Sequence, residues 1–255
     1  MSNMFDLSGK VAFVTGASSG LGRQLSLALA EAGADVAIVA RRVEKLEAVK
    51  AEIEEKGVKC YAHQCDITDN KQIKETVSAI EDYFGKIDIL INNAGVGYIE
   101  PAESQSDETW LKTINLNLNA QYFVSREVAR GMIKRGYGKI ISLGSIHSSV
   151  AMAEFPVSAY AAAKGGIKMM TKALAVEWAK HGITVNAIGP AYFPSEMTGE
   201  IIGSDEFQDI VKLRCPMGRT GRTGELDGAI LYFASDASSY TTGQLLSIDG
   251  GWTAI

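Results

Sequence analysis

The chain has few of several things, and each shortage excludes something. Three cysteines stand in 255 residues, Cys60, Cys65 and Cys215, and they form no metal-like or redox spacing. An odd count in a chain this long reads as reduced thiols, and hence as a cytoplasmic setting. The three histidines, His63, His147 and His181, are not clustered, so no metal site is expected. No run of about 18 uninterrupted apolar residues exists, which excludes a spanning helix. Residues 1–6 (MSNMFD) show no basic region leading into an apolar stretch, so no signal peptide is expected. There is no Lys/Arg block, and Lys+Arg 25 against Asp+Glu 30 leaves a net charge of −5. Sequence-independent binding to a nucleic acid backbone would need the opposite balance. With 46% hydrophobic and 22% charged residues the chain is neither disordered nor collagen-like. No Pro/Gly/Ser-rich linker or composition break divides it. The expectation is one soluble domain, residues 1–255, without metal, membrane or nucleic acid.

Glycine is plentiful: 26 against only 5 prolines. Glycine lacks a Cβ and tolerates φ > 0, so the ratio suggests close backbone approaches rather than flexible linkers. Short β-branched runs alternate with helical patterns. Strands are expected at 10–15 (KVAFVT), 35–40 (DVAIVA), 58–63, 86–92 (KIDILIN), 138–144 (GKIISLG), 184–188 and 245–249. Helices are expected at 20–32, 43–56, 69–84, 110–135, 158–181 and near 225–234. Near-continuous apolar strands separated by such helices imply an α/β fold with a doubly wound parallel sheet, the Rossmann type. The stretch 190–219 reads as irregular, an insertion suited to a substrate lid.

The first strand runs into Thr15-Gly16-Ala17-Ser18-Ser19-Gly20-Leu21-Gly22, where a helix begins. Glycines there permit a tight turn and let backbone N–H groups and a helix N-terminus meet a diphosphate. The end of the second strand selects the dinucleotide. A carboxylate there would take the adenosine ribose hydroxyls of NAD. Ala40-Arg41-Arg42 offers none, and two guanidiniums can grip a 2′-phosphate. Read only as surface charge, Arg41 and Arg42 would simply open a solvated helix. The first reading predicts NADP(H), although Ser18 and Ser19 stand where a second basic residue would complete the signal.

Tyr160 and Lys164 lie four apart on an expected helix and so share one face. A neighbouring ammonium stabilises a phenolate and draws its pKa from about 10 toward the working range. Ser145 follows the apolar strand 139–143, at the strand end where a doubly wound sheet places functional groups. Its hydroxyl can orient a carbonyl or alcohol. His147 is close enough to contact substrate.

The glycine loop, Asn92-Asn93-Ala94-Gly95, Ser145, Tyr160-Ala161-Ala162-Ala163-Lys164 and Asp249-Gly250-Gly251, in this order, resemble the short-chain dehydrogenase/reductase family over nearly the whole chain. The resemblance implies an NADP(H)-dependent exchange between a ketone and a secondary alcohol. Tyr160 would carry the proton, Ser145 would orient the substrate oxygen, and Lys164 would tune Tyr160 and bind ribose. Asn115, Asn117 and Asn119 compete for the family's asparagine, which holds a water in the proton relay. Asn117-Leu118-Asn119-Ala120 matches the pattern best, which favours Asn117, with Asn115 as the fallback. The resemblance places Gly16, Ser18, Ser19, Gly20, Leu21 and Gly22 on the diphosphate. It places Asp66 and Ile67 at the adenine and Asn93, Ala94 and Gly95 along the adenosine ribose. Pro190, Ala191 and Ser195 fall beside the nicotinamide.

Two departures stand out. Ala191 replaces a usual glycine, and its methyl is expected to alter the backbone there. The Ser145-to-Tyr160 interval is two residues longer than usual for the family. Gly165 and Gly166 inside the helix imply close neighbours, and the resemblance suggests a homotetramer packed through this helix, with Met169 and Met170 as packing residues. Residues 157–169 and 192–198 are similar to gluconate 5-dehydrogenases, which points to a sugar acid or polyol. The alternatives are a 3-oxoacyl-carrier-protein reductase, a hydroxysteroid dehydrogenase, or a binding protein that senses NADP without turning it over.

Overall fold

In a computed structural model that describes residues 3–255, seven strands form one parallel sheet. They are β1 (Val11–Thr15), β2 (Asp35–Ala40), β3 (Cys60–Gln64), β4 (Ile89–Asn92), β5 (Gly138–Leu143), β6 (Ile183–Pro190) and β7 (Leu245–Ile248). Their spatial order is β3-β2-β1-β4-β5-β6-β7. Helices α1 (Gly20–Glu31), α2 (Val43–Glu54), α3 (Asn70–Phe84), α4 (Asp107–Ile114), α5 (Ala120–Arg135), α6 (Ser158–Trp178), α7 (Gly199–Ile202), α8 (Asp205–Arg214) and α9 (Asp227–Ala234) connect and cover it. The result is a single domain of the Rossmann type, and no helix among the described residues is long and apolar enough to cross a membrane.

The inner strands are buried almost throughout because both their faces are covered, whereas the edge strands β3 and β7 are only partly buried. Successive side chains leave a strand on opposite faces. Ala12 and Val14 of β1 therefore join Leu25, Leu29, Val49, Ile53, Ile230 and Phe233 beneath α1, α2 and α9. Phe13, between them in sequence, joins Ile73, Val77, Ile80, Val124, Val128 and Leu174 beneath α3, α5 and α6. Strand order reverses between β1 and β4, and such a reversal opens a crevice at the strands' C-terminal ends.

Two expectations change. The helix expected over 110–135 is broken by a π-helical turn, Asn115–Asn119, between α4 and α5. The stretch expected to be irregular contains α7 and α8. Ser204 caps α8 by accepting from Phe207 N at 3.3 Å. Asp205 and Glu206 occupy its first turn and Lys212 and Arg214 its last, which suits the helix dipole. Phe207 and Val211, four apart, are buried against Ile146, Cys215 and Trp252. The loop between Ser145 and Tyr160 also packs. It brings Phe155 against Tyr192 and Phe207, with ring centroids 6.1 and 6.0 Å apart, and pairs Glu154 with Arg214 at 2.5 Å.

Gly16 marks a close backbone approach in the crevice. Its φ is +67°, and a Cβ there would lie 2.7 Å from the Ala94 Cα. Backbone cannot yield as a flexible side chain can. Gly16→Ala is expected to lower the unfolding free energy by about 1–3 kcal/mol in urea titrations. Gly228→Ala, in α9 with nothing within 4 Å of the added methyl, should raise it by up to about 1 kcal/mol. Equal stability of Gly16→Ala and the parent would show that the loop relaxes around the methyl.

Candidate active site

A cleft of about 1240 Å³ lies at the strand reversal. All the side chains and backbone positions expected at a site line it: Gly16, Ser18, Ser19, Gly20, Leu21, Gly22, Arg41, Arg42, Asp66, Ile67, Asn93, Ala94, Gly95, Asn117, Ser145, Tyr160, Lys164, Pro190, Ala191 and Ser195. Among the described residues no cluster of His, Cys, Asp and Glu has the form of a metal site.

The floor is held by polar struts. Asn93 Nδ2 donates to the carbonyls of Thr15 and Gly16 at 3.0 and 3.1 Å, and Thr15 Oγ1 accepts from the N–H of Asn93 and of Ala94 at 3.1 and 3.3 Å. The Asn93 amide thus ties β4 to the glycine loop rather than pointing at a ligand. A Cβ on Gly22 would meet Gly16 O at 2.3 Å and Asn93 Nδ2 at 2.5 Å, so only glycine lets α1 start this close. A diphosphate fits the cradle these glycines leave at the α1 N-terminus. Asp66 is also partly occupied, since its Oδ1 accepts from Thr68 N and Oγ1 at 2.9 and 2.8 Å.

Beside the loop is a cationic site. Arg42 Nη2 donates to Ser18 Oγ at 3.0 Å and Ser19 Oγ at 2.8 Å, and both Arg42 and Lys45 pair with Glu196, at 2.8 and 2.5 Å. Two hydroxyls and two cations make a donor set that fits a phosphate. Lys45 and Glu196 escaped the sequence reading. Lys45 was detectable, since it lies three residues after Arg42 at the start of α2 and so shares its face. Glu196 comes from a distant segment and leaves no local signal.

The π-helical turn sorts the three asparagines. Asn115 and Asn119 are exposed and bond each other at 3.1 Å. Asn117 is fully buried. Its Nδ2 donates to the carbonyls of Val96 and Thr113 at 2.8 and 2.9 Å, and its Oδ1 accepts from Val96 N at 3.2 Å. It therefore clamps the loop after β4. A Cβ on Gly95 would lie 2.6 Å from that Oδ1.

Ser145 lies two residues past β5 and caps a 3₁₀ turn, its Oγ accepting from His147 N at 3.2 Å. Tyr160 and Lys164 project from α6 beside it. Lys164 is buried, donates Nζ–H to Leu143 O at 2.6 Å, and stands 5.4 Å from the Tyr160 ring centre. Burial pulls the Lys164 ammonium down to about 8. Burial also pushes the Tyr160 phenol up to about 12, against a smaller lowering by the Ser145 hydroxyl. The expected lowering of Tyr160 by Lys164 is not seen: burial raises the phenol, and its lowering contact is the Ser145 hydroxyl. A phenol held that high keeps its proton at neutral pH and can serve as an acid. His147 stands edge-on to Tyr160 with ring centres 6.0 Å apart, and burial keeps it toward its neutral form.

On the far wall, Ala191 N donates to Ile248 O at 3.3 Å. Among the described residues no non-glycine has positive φ. Ala191 therefore needs no left-handed backbone, and its methyl packs beside the cluster of Ile146, Phe207 and Trp252 instead of distorting the turn. Ser195 Oγ bonds Thr198 Oγ1 at 2.9 Å, which in turn donates to Phe193 O at 2.5 Å.

A family profile described as enoyl-(acyl carrier protein) reductase matches residues 16–253. Gluconate 5-dehydrogenase of Gluconobacter oxydans is 41% identical, covering 98% of this chain and 97% of that protein. A 2-dehydro-3-deoxy-D-gluconate 5-dehydrogenase of Pseudoalteromonas atlantica is 39% identical, covering 99% of each. The crystal structure of a gluconate 5-dehydrogenase from Burkholderia cenocepacia, in complex with NADP and tartrate, superposes with a TM-score of 0.95 at 36% identity, covering 99% and 98%. With these matches running the length of the motifs, the chain belongs to the short-chain dehydrogenase/reductase family.

Proposed function

We propose that this chain is an NADP(H)-dependent oxidoreductase that interconverts a ketone and a secondary alcohol on a sugar acid or polyol. The observation that carries this reading is the convergence of Ser145, Tyr160 and Lys164 with a glycine cradle and a phosphate-like donor set in one cleft. When bound, the dinucleotide supplies hydride exchange at its nicotinamide. Ser145 orients the substrate oxygen. Tyr160 gives that oxygen a proton in reduction and removes it in oxidation. Lys164, anchored on Leu143 O, holds a positive charge beside the phenol and binds ribose. Asn117 fixes the loop after β4 and, in this reading, holds a water in the proton relay. Relatives named for gluconate and 2-dehydro-3-deoxy-D-gluconate support the sugar-acid reading. The family profile's description mentions an acyl carrier protein, so 3-oxoacyl reduction is the second reading.

Residues 190–219, with α7 and α8, act in this reading as a lid. The free, buried thiols of Cys60, Cys65 and Cys215 suit a reducing, cytoplasmic setting. A homotetramer also belongs to the proposal. A Cβ on Gly166 would lie 2.8 Å from Leu118 within the chain, but Gly165 has nothing within 4 Å of an added Cβ. Met170 packs inward, whereas Met169 and Val176 on α6 are 61% and 82% exposed. An apolar, small-residue helix face of this kind suits a second copy.

Four outcomes test the proposal. Tyr160→Phe should lose at least about a hundredfold in kcat while still quenching with NADPH, since a positioned acid contributes about 10²–10⁴. Retained turnover would remove Tyr160 from its role, and a parent without turnover on any ketone would favour a binding protein. Reduction needs the protonated phenol, so with Tyr160 held at about 12 its rate should stay flat through neutrality and fall only in alkali. Oxidation needs the phenolate, so its kcat/KM should climb with pH over the same range. Replacing Arg41 and Arg42 with Ala should raise the NADPH KM and spare NADH, and an unchanged NADPH KM would remove the NADP assignment. Finally, NADPH oxidation should be faster with 5-ketogluconate than with acetoacetyl thioesters or keto-steroids, and the reverse order would move the substrate class.

A further inference from the structure

Glu196 has no part in the roles above, yet it is the most heavily bonded carboxylate at the cleft. It follows Ser195, whose Cβ comes within 3.2 Å of where a Cβ on Gly20 would stand, so this segment rests on the glycine loop. Its Oε2 accepts from Arg42 Nη2 at 2.8 Å and Ser19 Oγ at 2.9 Å. Its Oε1 accepts from Lys45 Nζ at 2.5 Å and Arg42 Nη1 at 3.2 Å. Arg42 thus grips it with both arms of its guanidinium, the way that group holds a phosphate. These contacts hold the carboxyl down to about 2, so no working pH releases it by protonation. The side chains of Arg42 and Glu196 remain about half exposed, at 47% and 50%. Solvent screens such pairs, and they exchange partners readily.

We propose that Glu196 is an internal competitor for the 2′-phosphate of NADP(H), and so sets how strongly the protein prefers NADP(H) over NAD(H). The proposal rests on the reading of Arg42 as a 2′-phosphate residue. One fork of guanidinium and one ammonium cannot serve a carboxylate and a phosphate at full strength together. A 2′-phosphate must break the ion pairs of Glu196 with Arg42 and Lys45 before it gains its own. A dinucleotide ending in a 2′-hydroxyl leaves those pairs intact. Glu196 therefore taxes only the phosphorylated cofactor. Arg41, which makes no ion pair among the described residues, is the one neighbouring cation the phosphate could use without that exchange.

The test removes the charge and keeps the shape. For Glu196→Gln, dissociation constants are measured for NADPH and NADH by nicotinamide fluorescence, and for adenosine 2′,5′-bisphosphate and 5′-AMP by calorimetry. Tightening of NADPH and the bisphosphate by about fivefold to tenfold, with NADH and 5′-AMP within about twofold, is the expected result. Unchanged or weaker NADPH binding overturns the proposal. Equal tightening of all four ligands also overturns it, because that would be a looser lid rather than a vacated anion site. Glu196→Ala repeats the measurement without the amide's hydrogen bonds and should give the same order. Arg42→Ala separates the two levels of inference. If it leaves the bisphosphate affinity unchanged, the 2′-phosphate reading itself fails. If it weakens the bisphosphate while Glu196→Gln does not tighten it, only the competitor fails.

Discussion

The cleft depends on one close backbone contact, the approach of the glycine loop to the turn after β4. Nothing larger than hydrogen fits at Gly16, facing the Ala94 Cα, or at Gly22, facing Gly16 O. The polar struts from Thr15 and Asn93 then fix the spacing that the missing side chains permit. That contact lies where sheet order reverses between β1 and β4. It aims the N-terminus of α1 into the crevice and sets the floor on which every other group in the site is measured. A larger residue at either position would move the helix, the loop after β4 and, through Gly95, the buried Asn117 clamp.

The opposite wall is governed by the burial of charge. An ammonium out of water is unfavourable unless bonded, and Lys164 is given the Leu143 carbonyl at the end of β5. The strand that delivers Ser145 also supplies the acceptor that places Lys164, so hydroxyl, phenol and ammonium share one anchor. Burial moves the two titrating groups toward their neutral forms. The pair is therefore set for proton donation at neutral pH, and proton removal has to be driven by added positive charge or by alkali.

What could be read from the sequence was what local chemistry determines. The apolar runs predicted the strands to within a few residues, because an inner strand covered on both faces is mostly apolar. The loop Thr15–Gly22 and the pair Tyr160 and Lys164 were readable for the same reason: contiguity or helical spacing fixes their relation. Asn117 could be preferred over Asn115 by pattern alone, but its burial follows from a π-helical turn that helical periodicity conceals. Helix α8 was missed although Ser204, Phe207 and Val211 carry its cap and its buried face, because flanking glycines and prolines made the whole stretch look irregular. Ala191 carries its methyl without a left-handed backbone. Glu196 meets Arg42 across 154 positions, and no local pattern encodes such a pair.

Those long-range contacts tie the segment 190–219 to both ends of the cleft. Glu196 is held at the cationic site, and the adjoining Ser195 and Thr198 are bonded to each other and to Phe193. Phe193 in turn fills the space left by Gly221, whose added Cβ would lie 2.3 Å from its ring. On the other side, Phe155 and Glu154 of the loop before Tyr160 grip α8. The segment is thus clamped by exposed ion pairs at one end and by aromatic packing at the other. Exposed pairs are each worth at most about 1 kcal/mol, whereas burying an aromatic side chain is worth about 1.5–3 kcal/mol. Were the segment to act as the proposed lid, its weaker, charged end beside the glycine loop would release before the aromatic end.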